Sequence, residues 1–151
     1  MKLLYKLLLR SSSALTALQV LATYGSNAWM WIPGVGTVSG VDAKNWLNSN
    51  YTTALAVDQQ VGSVSNSGSA SAVHLTQATA GSRPYLRQSG GIYSWEFDGT
   101  DDRLGLGAAP FATPSDHTLL VGVTPATSAT TKTIFSIRAG AGGRFELIHT
   151  A

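Results

Sequence analysis

The run from Ile92 to Leu106, IYSWEFDGTDDRLGL, restricts the chain more than any other stretch. With a period of two, Tyr93, Trp95 and Phe97 fall on one side and Ser94, Glu96 and Asp98 on the other. That is the alternation of a half-buried strand. Asp98-Gly99 then predicts a turn, because glycine accepts a positive φ and aspartate hydrogen-bonds the backbone ahead of it. Leu104 and Leu106 alternate with polar or small residues and predict a second strand. The expectation is a hairpin folded across Asp98-Gly99, with Trp95 and Phe97 in the core. Such a hairpin is marginal in water by itself and needs a second layer.

The rest of the chain offers more strands. Leu119, Val121 and Val123 share a face, residues 127–131 predict a polar turn, and Phe135 and Ile137 alternate with Ser136 and Arg138. AGAGG predicts another turn, after which Phe145 and Leu147 oppose Arg144 and Glu146. Upstream, residues 39–90 are rich in Ser, Ala, Gly, Asn and Thr, with short apolar pieces at 46–47, 55–57, 61–64 and 73–75. They predict short strands between long loops, with SVSNSGSASA (63–72) exposed. Antiparallel strands with turn signals between them indicate an all-β sandwich or jelly roll. The sequence stops at Ala151, directly after a predicted strand. The expected sandwich is therefore either curtailed or the first part of a longer product, and an unfinished sheet exposes an edge.

Composition agrees with this. Of 151 residues 44% are apolar and 12% charged, about half the charge of an average domain. The polar surface must come from Ser, Thr, Asn, Gln and Gly, which suits β structure or a surface covered by neighbours. Of the ten Lys and Arg, Lys2, Lys6 and Arg10 precede the first acid, Asp42, which leaves seven bases against eight acids. The body is near neutral, with no basic stripe for nucleic acid. Without cysteine, disulfides and thiolate metal sites are excluded.

Residues 1–25 stand apart. Leu4, Leu7, Ala14, Leu18 and Leu21 lie at a/d-like spacing, with Ser11 weak in the seam and Leu8 beside it. A signal peptide ending near Ser26-Asn27-Ala28 would account for the basic start, but Arg10, three serines and Gln19 interrupt its apolar run. A membrane span needs about 20 apolar residues, and none is present. An amphipathic helix fits these interruptions best. Leu4, Leu7, Leu8, Leu18 and Leu21 are its expected partner-binding residues, giving a helical anchor at 1–25 and a sandwich at 26–151. Trp29 and Trp31 precede Pro33-Gly34. They suit core packing, or a plug between helix and sandwich, better than a sugar platform, which would need a polar cluster beside them.

WEFDGTDDRLGL, preceded by QATAGSRPYLR and followed by HTLLVGVTP, resembles the opening of laminin-G/concanavalin-A-like sandwich domains. It is most similar to the version found in bacteriophage virion and tail proteins, where a QATAxxRPxL segment precedes an FDGxDDxL turn. VDQQVGSV upstream is similar as well, so the resemblance spans roughly residues 55 to 138. It implies a concanavalin-A-like sandwich and a virion role in a tail, fibre or capsid surface. Fold alone does not fix function.

Three carboxylates invite a chemical reading. Glu96, Asp98 and Asp101 resemble the catalytic run of one sandwich-fold glycosidase family, and residues two apart on a strand lie roughly 6.5 to 7 Å apart. Gly99 ends the strand, however, so Asp101 falls out of register, and the chain has two glutamates and no second acid cluster. Asp98, Asp101 and Asp102 are weak candidates for calcium, as in some laminin-G-like domains, but supply few of the six to eight oxygens it takes. His74, His117 and His149 are far apart and carry no zinc spacing. There is no G-x-S-x-G elbow, and the glycine pairs belong to turns. Asn50-Tyr51-Thr52 matches a glycosylation sequon, a triplet common by chance. The expectation is a non-enzymatic virion protein that binds other virion proteins or copies of itself and requires no cofactor. A carbohydrate-binding module for host glycans is the alternative, with a glycan hydrolase behind it.

Overall fold

The computed structural model describes residues 29–38, 41–42, 44–67, 74–106, 121–124, 132–139 and 143–149. Among them the regular structure is strand, apart from one 3₁₀ turn at Ala80–Ser82. The described residues are all-β, built from small antiparallel sheets. The chain forms two compact units, Met1–Gly107 and Ala108–Ala151. The expected helix at 1–25, with Leu4, Leu7, Leu8, Leu18 and Leu21, lies outside the described residues.

In the first unit, β1 (Thr37–Val38) pairs with β2 (Val41–Asp42). β3 (Asn45–Trp46), β4 (Ser63–Val64), β5 (Leu75–Thr76), β6 (Tyr85–Ser89), β7 (Ile92–Glu96) and β8 (Gly105–Leu106) follow. β3, β4, β5 and β8 make one sheet in that order, and β6 and β7 make a hairpin. A turn and loop over residues 57–61 border β6 on its other side, through one bridge between Gln60 and Tyr85. Leu86 N–H donates to the Gln59 carbonyl (2.9 Å), Asp58 N–H to that of Leu86 (2.7 Å), and Val61 N–H to that of Pro84 (2.8 Å).

The hairpin is not the expected one. β7 pairs with β6 across Gly90-Gly91, and β8 pairs with β5, so no hairpin spans Asp98-Gly99. Gly90 and Gly91 have φ of +57° and +81°. Two positive φ values match the twist of the flanking strands, a conformation glycine reaches without steric cost. The Tyr93/Trp95 alternation does place both side chains against the core, half-buried. Phe97 is different: β7 ends at Glu96 and Phe97 is 46% exposed. With no ladder beyond Glu96, the period of two no longer points it inward.

The core consists of Leu55, Val61, Val64 and Leu86, each at most 4% exposed, with Trp31, Leu47, Leu75, Tyr93, Trp95 and Leu104 packed against it. Ser63 and Val64, expected in an exposed loop, are buried in β4; Ser63 satisfies its hydroxyl on the Asn48 carbonyl (2.8 Å). Glycine is required at 62, where a Cβ would lie 2.6 Å from the Leu47 carbonyl oxygen.

The second unit contains β9 (Lys132–Ala139) and β10 (Gly143–His149), the two strands expected around the AGAGG turn. Phe145 is opposite Ile137 and Leu147 opposite Phe135, with an irregularity after Leu147. Residues 121–124 form no strand, and Val121 and Val123 are exposed. Alternation does not hold a strand that has no pairing partner, and none pairs with these positions among the described residues.

Candidate functional site

The two motif segments fold onto each other. Gln77 is buried, and its amide oxygen accepts the Thr79 N–H (3.0 Å). Arg83 donates to three backbone carbonyls: Nε to Gln77 (2.8 Å), Nη2 to Ala78 (2.8 Å) and Nη1 to Leu47 (3.1 Å). A planar guanidinium with five donors suits this task, since an ammonium could not hold three carbonyls in one plane. Pro84 is fully buried beside it. The Ser82 hydroxyl donates to Asp101 Oδ2 (2.6 Å), and the Arg103 N–H to the Ser82 carbonyl (3.1 Å). QATAGSRP and FDGTDDR thus form one hydrogen-bonded unit.

The acidic turn is organised by Asp98. Its Oδ1 accepts the N–H groups of Thr100 (2.7 Å), Asp101 (3.3 Å) and Asp102 (3.4 Å), while Asp102 Oδ2 accepts the Asp98 N–H (2.9 Å). The bond from the Thr100 N–H, with those of Asp102 and Asp101, holds the Asp98 carboxyl below its ordinary pKa against some desolvation. Asp102 is pushed the other way, by desolvation and then by the charges of Asp98 and Asp101. The three carboxylates converge, with ligand atoms within 4.8 Å of one another. One oxygen of each already serves the turn, and three carboxylates fall short of a calcium shell. Exposed Asp98 and Asp101 with half-buried Asp102 are scaffolding for the turn.

On the outer face of the β6–β7 hairpin, Arg87 joins two acids. Its Nε donates to Glu96 Oε2, its Nη1 donates to Asp58 Oδ1 (2.8 Å), and its guanidinium lies 4.7 Å from the centre of the Tyr85 ring. The Glu96 bond, then that to Asp58, raises the Arg87 pKa further. Glu96 is therefore committed to an ion pair while Asp98 caps a turn, so the residues of the glycosidase-like run do not meet as a free carboxylate pair.

Several nodes escaped the sequence reading. Buried Asn45 accepts the Trp95 indole N–H (2.7 Å) and donates to the Ile32 carbonyl (2.9 Å), tying β7 to the segment before β1. Trp46 donates its indole N–H to the Ser65 hydroxyl (2.9 Å). Gly90-Gly91, a hairpin signal in itself, would have revealed the Arg87–Glu96 pair; nothing local marks Asn45. An open depression borders Val35, Gly36, Lys44, Asn45, Trp46, Ala54 and Leu55. Asn45 there is already bonded to Trp95 and Ile32, so its amide is not presented to a ligand. Among the described residues no helix is long and apolar enough to cross a membrane. No family model, curated protein or solved structure matches the chain.

Proposed function

We propose that this chain is a non-enzymatic structural component of a bacteriophage virion, in a tail, fibre or capsid surface. Its all-β body would be a concanavalin-A-like, laminin-G-like sandwich. The N-terminal helix would attach it to other virion proteins or to copies of itself. The observation that carries this reading is the interlocking of the two motif segments. Gln77, Ser82, Arg83, Asp98, Asp101 and Asp102 spend their polar groups on backbone and on one another, as suits a scaffold. Low charge supports burial of surface by neighbours. Mass spectrometry and antibody labelling of purified particles test it: the chain is expected in stoichiometric amounts on the virion, and its absence from particles overturns the reading.

Carbohydrate binding is the second reading, favoured by Tyr85, 38% exposed beside Arg87, Asp58 and Glu96 on an open strand face. Tyr85→Ala would abolish retention on immobilised host polysaccharide if that reading holds and change nothing if the scaffold reading holds. Hydrolysis has less support, because Glu96 is held by Arg87. Purified protein is expected to release no reducing ends from polysaccharide; release that Glu96→Gln abolishes would reverse this.

A further inference from the structure

Residues 29–32 lead from the N-terminal region into the sheet, and a short relay of hydrogen bonds holds them. The Met30 N–H donates to Asn66 Oδ1 (2.9 Å), and the Ser67 N–H donates to the Met30 carbonyl (2.7 Å). The Asn66 N–H in turn donates to His74 Nδ1 (3.0 Å). A backbone N–H can only donate, so Nδ1 must carry a lone pair and the ring proton must sit on Nε2. Protonating Nδ1 converts the acceptor into a donor and sets two N–H groups against each other.

We infer that His74 is a proton-operated latch on the segment joining the N-terminal region to the sheet, closed when the imidazole is neutral and opened by acid. Histidine is the side chain whose unperturbed charge change falls between about pH 5 and 8. Nδ1 cannot carry a proton and accept the Asn66 N–H at once, so acid works against the closed form. The Asn66 N–H then loses its acceptor, and the Asn66 amide that receives the Met30 N–H is held less firmly.

The surroundings admit this. His74 is half-buried and within reach of water. The Tyr51 ring lies 4.9 Å from it at 58°. Burial raises the Tyr51 pKa, so that phenol stays neutral across the range and offers the imidazolium no anion. Continuing the register of β3, β4 and β5 sets Lys44, Ser65 and His74 in one row across three strands. Among the described residues no carboxylate forms an ion pair with His74. The latch stands whether or not the chain belongs to a virion.

Amide hydrogen exchange on the full chain tests it, corrected for intrinsic rates and read at pH 8 and pH 5. Losing one hydrogen bond should lower protection of the Asn66 and Met30 amides by roughly three- to tenfold at pH 5, with the Leu86 amide unchanged. His74→Gln, whose amide oxygen accepts without titrating, should remove the pH dependence. Nitrogen-15 shifts of the wild-type ring supply a readout that no variant's folding can confound: at pH 8, Nδ1 should be the unprotonated nitrogen. A protonated Nδ1 at pH 8 overturns the proposal. So does protection that stays constant while His74 titrates, or an equal loss in His74→Gln.

Discussion

Asn45 shows how much one buried amide can organise. It is 4% exposed and bonds the Trp95 indole at one end and the Ile32 carbonyl at the other. Asn45→Ala strands both partners, and leaving buried polar groups unsatisfied costs about 1–3 kcal/mol. Denaturant melts should register that loss. Phe97 predicts the reverse. Its sequence position implies a core aromatic, yet it is exposed beyond the end of β7. Phe97→Ala should cost under about 1 kcal/mol, whereas Leu86→Ala, at a fully buried site, should cost about 2–5 kcal/mol.

The two perturbed carboxylates predict opposite responses to acid. The folded-state pKa of Asp98 is depressed, so its contribution is present above the unfolded value and is lost as pH falls through the folded one. Asp102 is raised, so folding favours its protonated form: its contribution is full below the unfolded value and is lost as pH rises through the folded one. Asp98→Ala should therefore lower the melting temperature at pH 7 and have little effect near pH 2. Asp102→Asn keeps an acceptor for the Asp98 N–H and removes a repelled charge. It should match or exceed the wild-type melting temperature at pH 7, an advantage that disappears in acid. Melting curves at the two pH values check both.

At the scale of elements, the β6–β7 hairpin and the motif unit behind it explain what could be read from the sequence. Tyr93 and Trp95 were legible as an inward face because a period of two is a property of any paired strand. The partner of that strand was not. Asp98-Gly99 and Gly90-Gly91 are both turn signals, and the choice between them depends on which neighbouring segment buries Leu86. The clustering of Asp98, Asp101 and Asp102 was legible from their spacing, but their use as turn acceptors depends on Ser82 and on backbone N–H directions. Arg83 was visible as a motif letter and not as a clamp on Leu47, 36 residues away. Arg83→Lys should destabilise the fold by about 1–3 kcal/mol in denaturant melts, since a lysine cannot span three carbonyls.

At the scale of the molecule, the strand order matters more than any single contact. β5 and β8 are neighbours in one sheet, although β6 and β7 lie between them in sequence. The middle of the intervening segment is the β6–β7 hairpin, whose turn is two glycines. The attachment proposed for residues 1–24 belongs to this scale too. Deleting them should leave the far-ultraviolet dichroism of a β protein and abolish incorporation into particles or oligomers.

The nesting of one hairpin inside a longer pairing has a kinetic consequence. A two-residue loop closes quickly, whereas joining Leu75 to Leu106 directly would carry the closure entropy of the whole intervening chain. Once β6 and β7 have zipped, residues 85 and 96 are already adjacent, and the closure that joins β5 to β8 is shortened to residues 77–84 and 97–104. Mutations that weaken the hairpin should slow refolding, and those at the β5–β8 ladder should mainly speed unfolding. The order in which these two sheets assemble is thus written into their connectivity, with the glycine pair at 90–91 as the starting point.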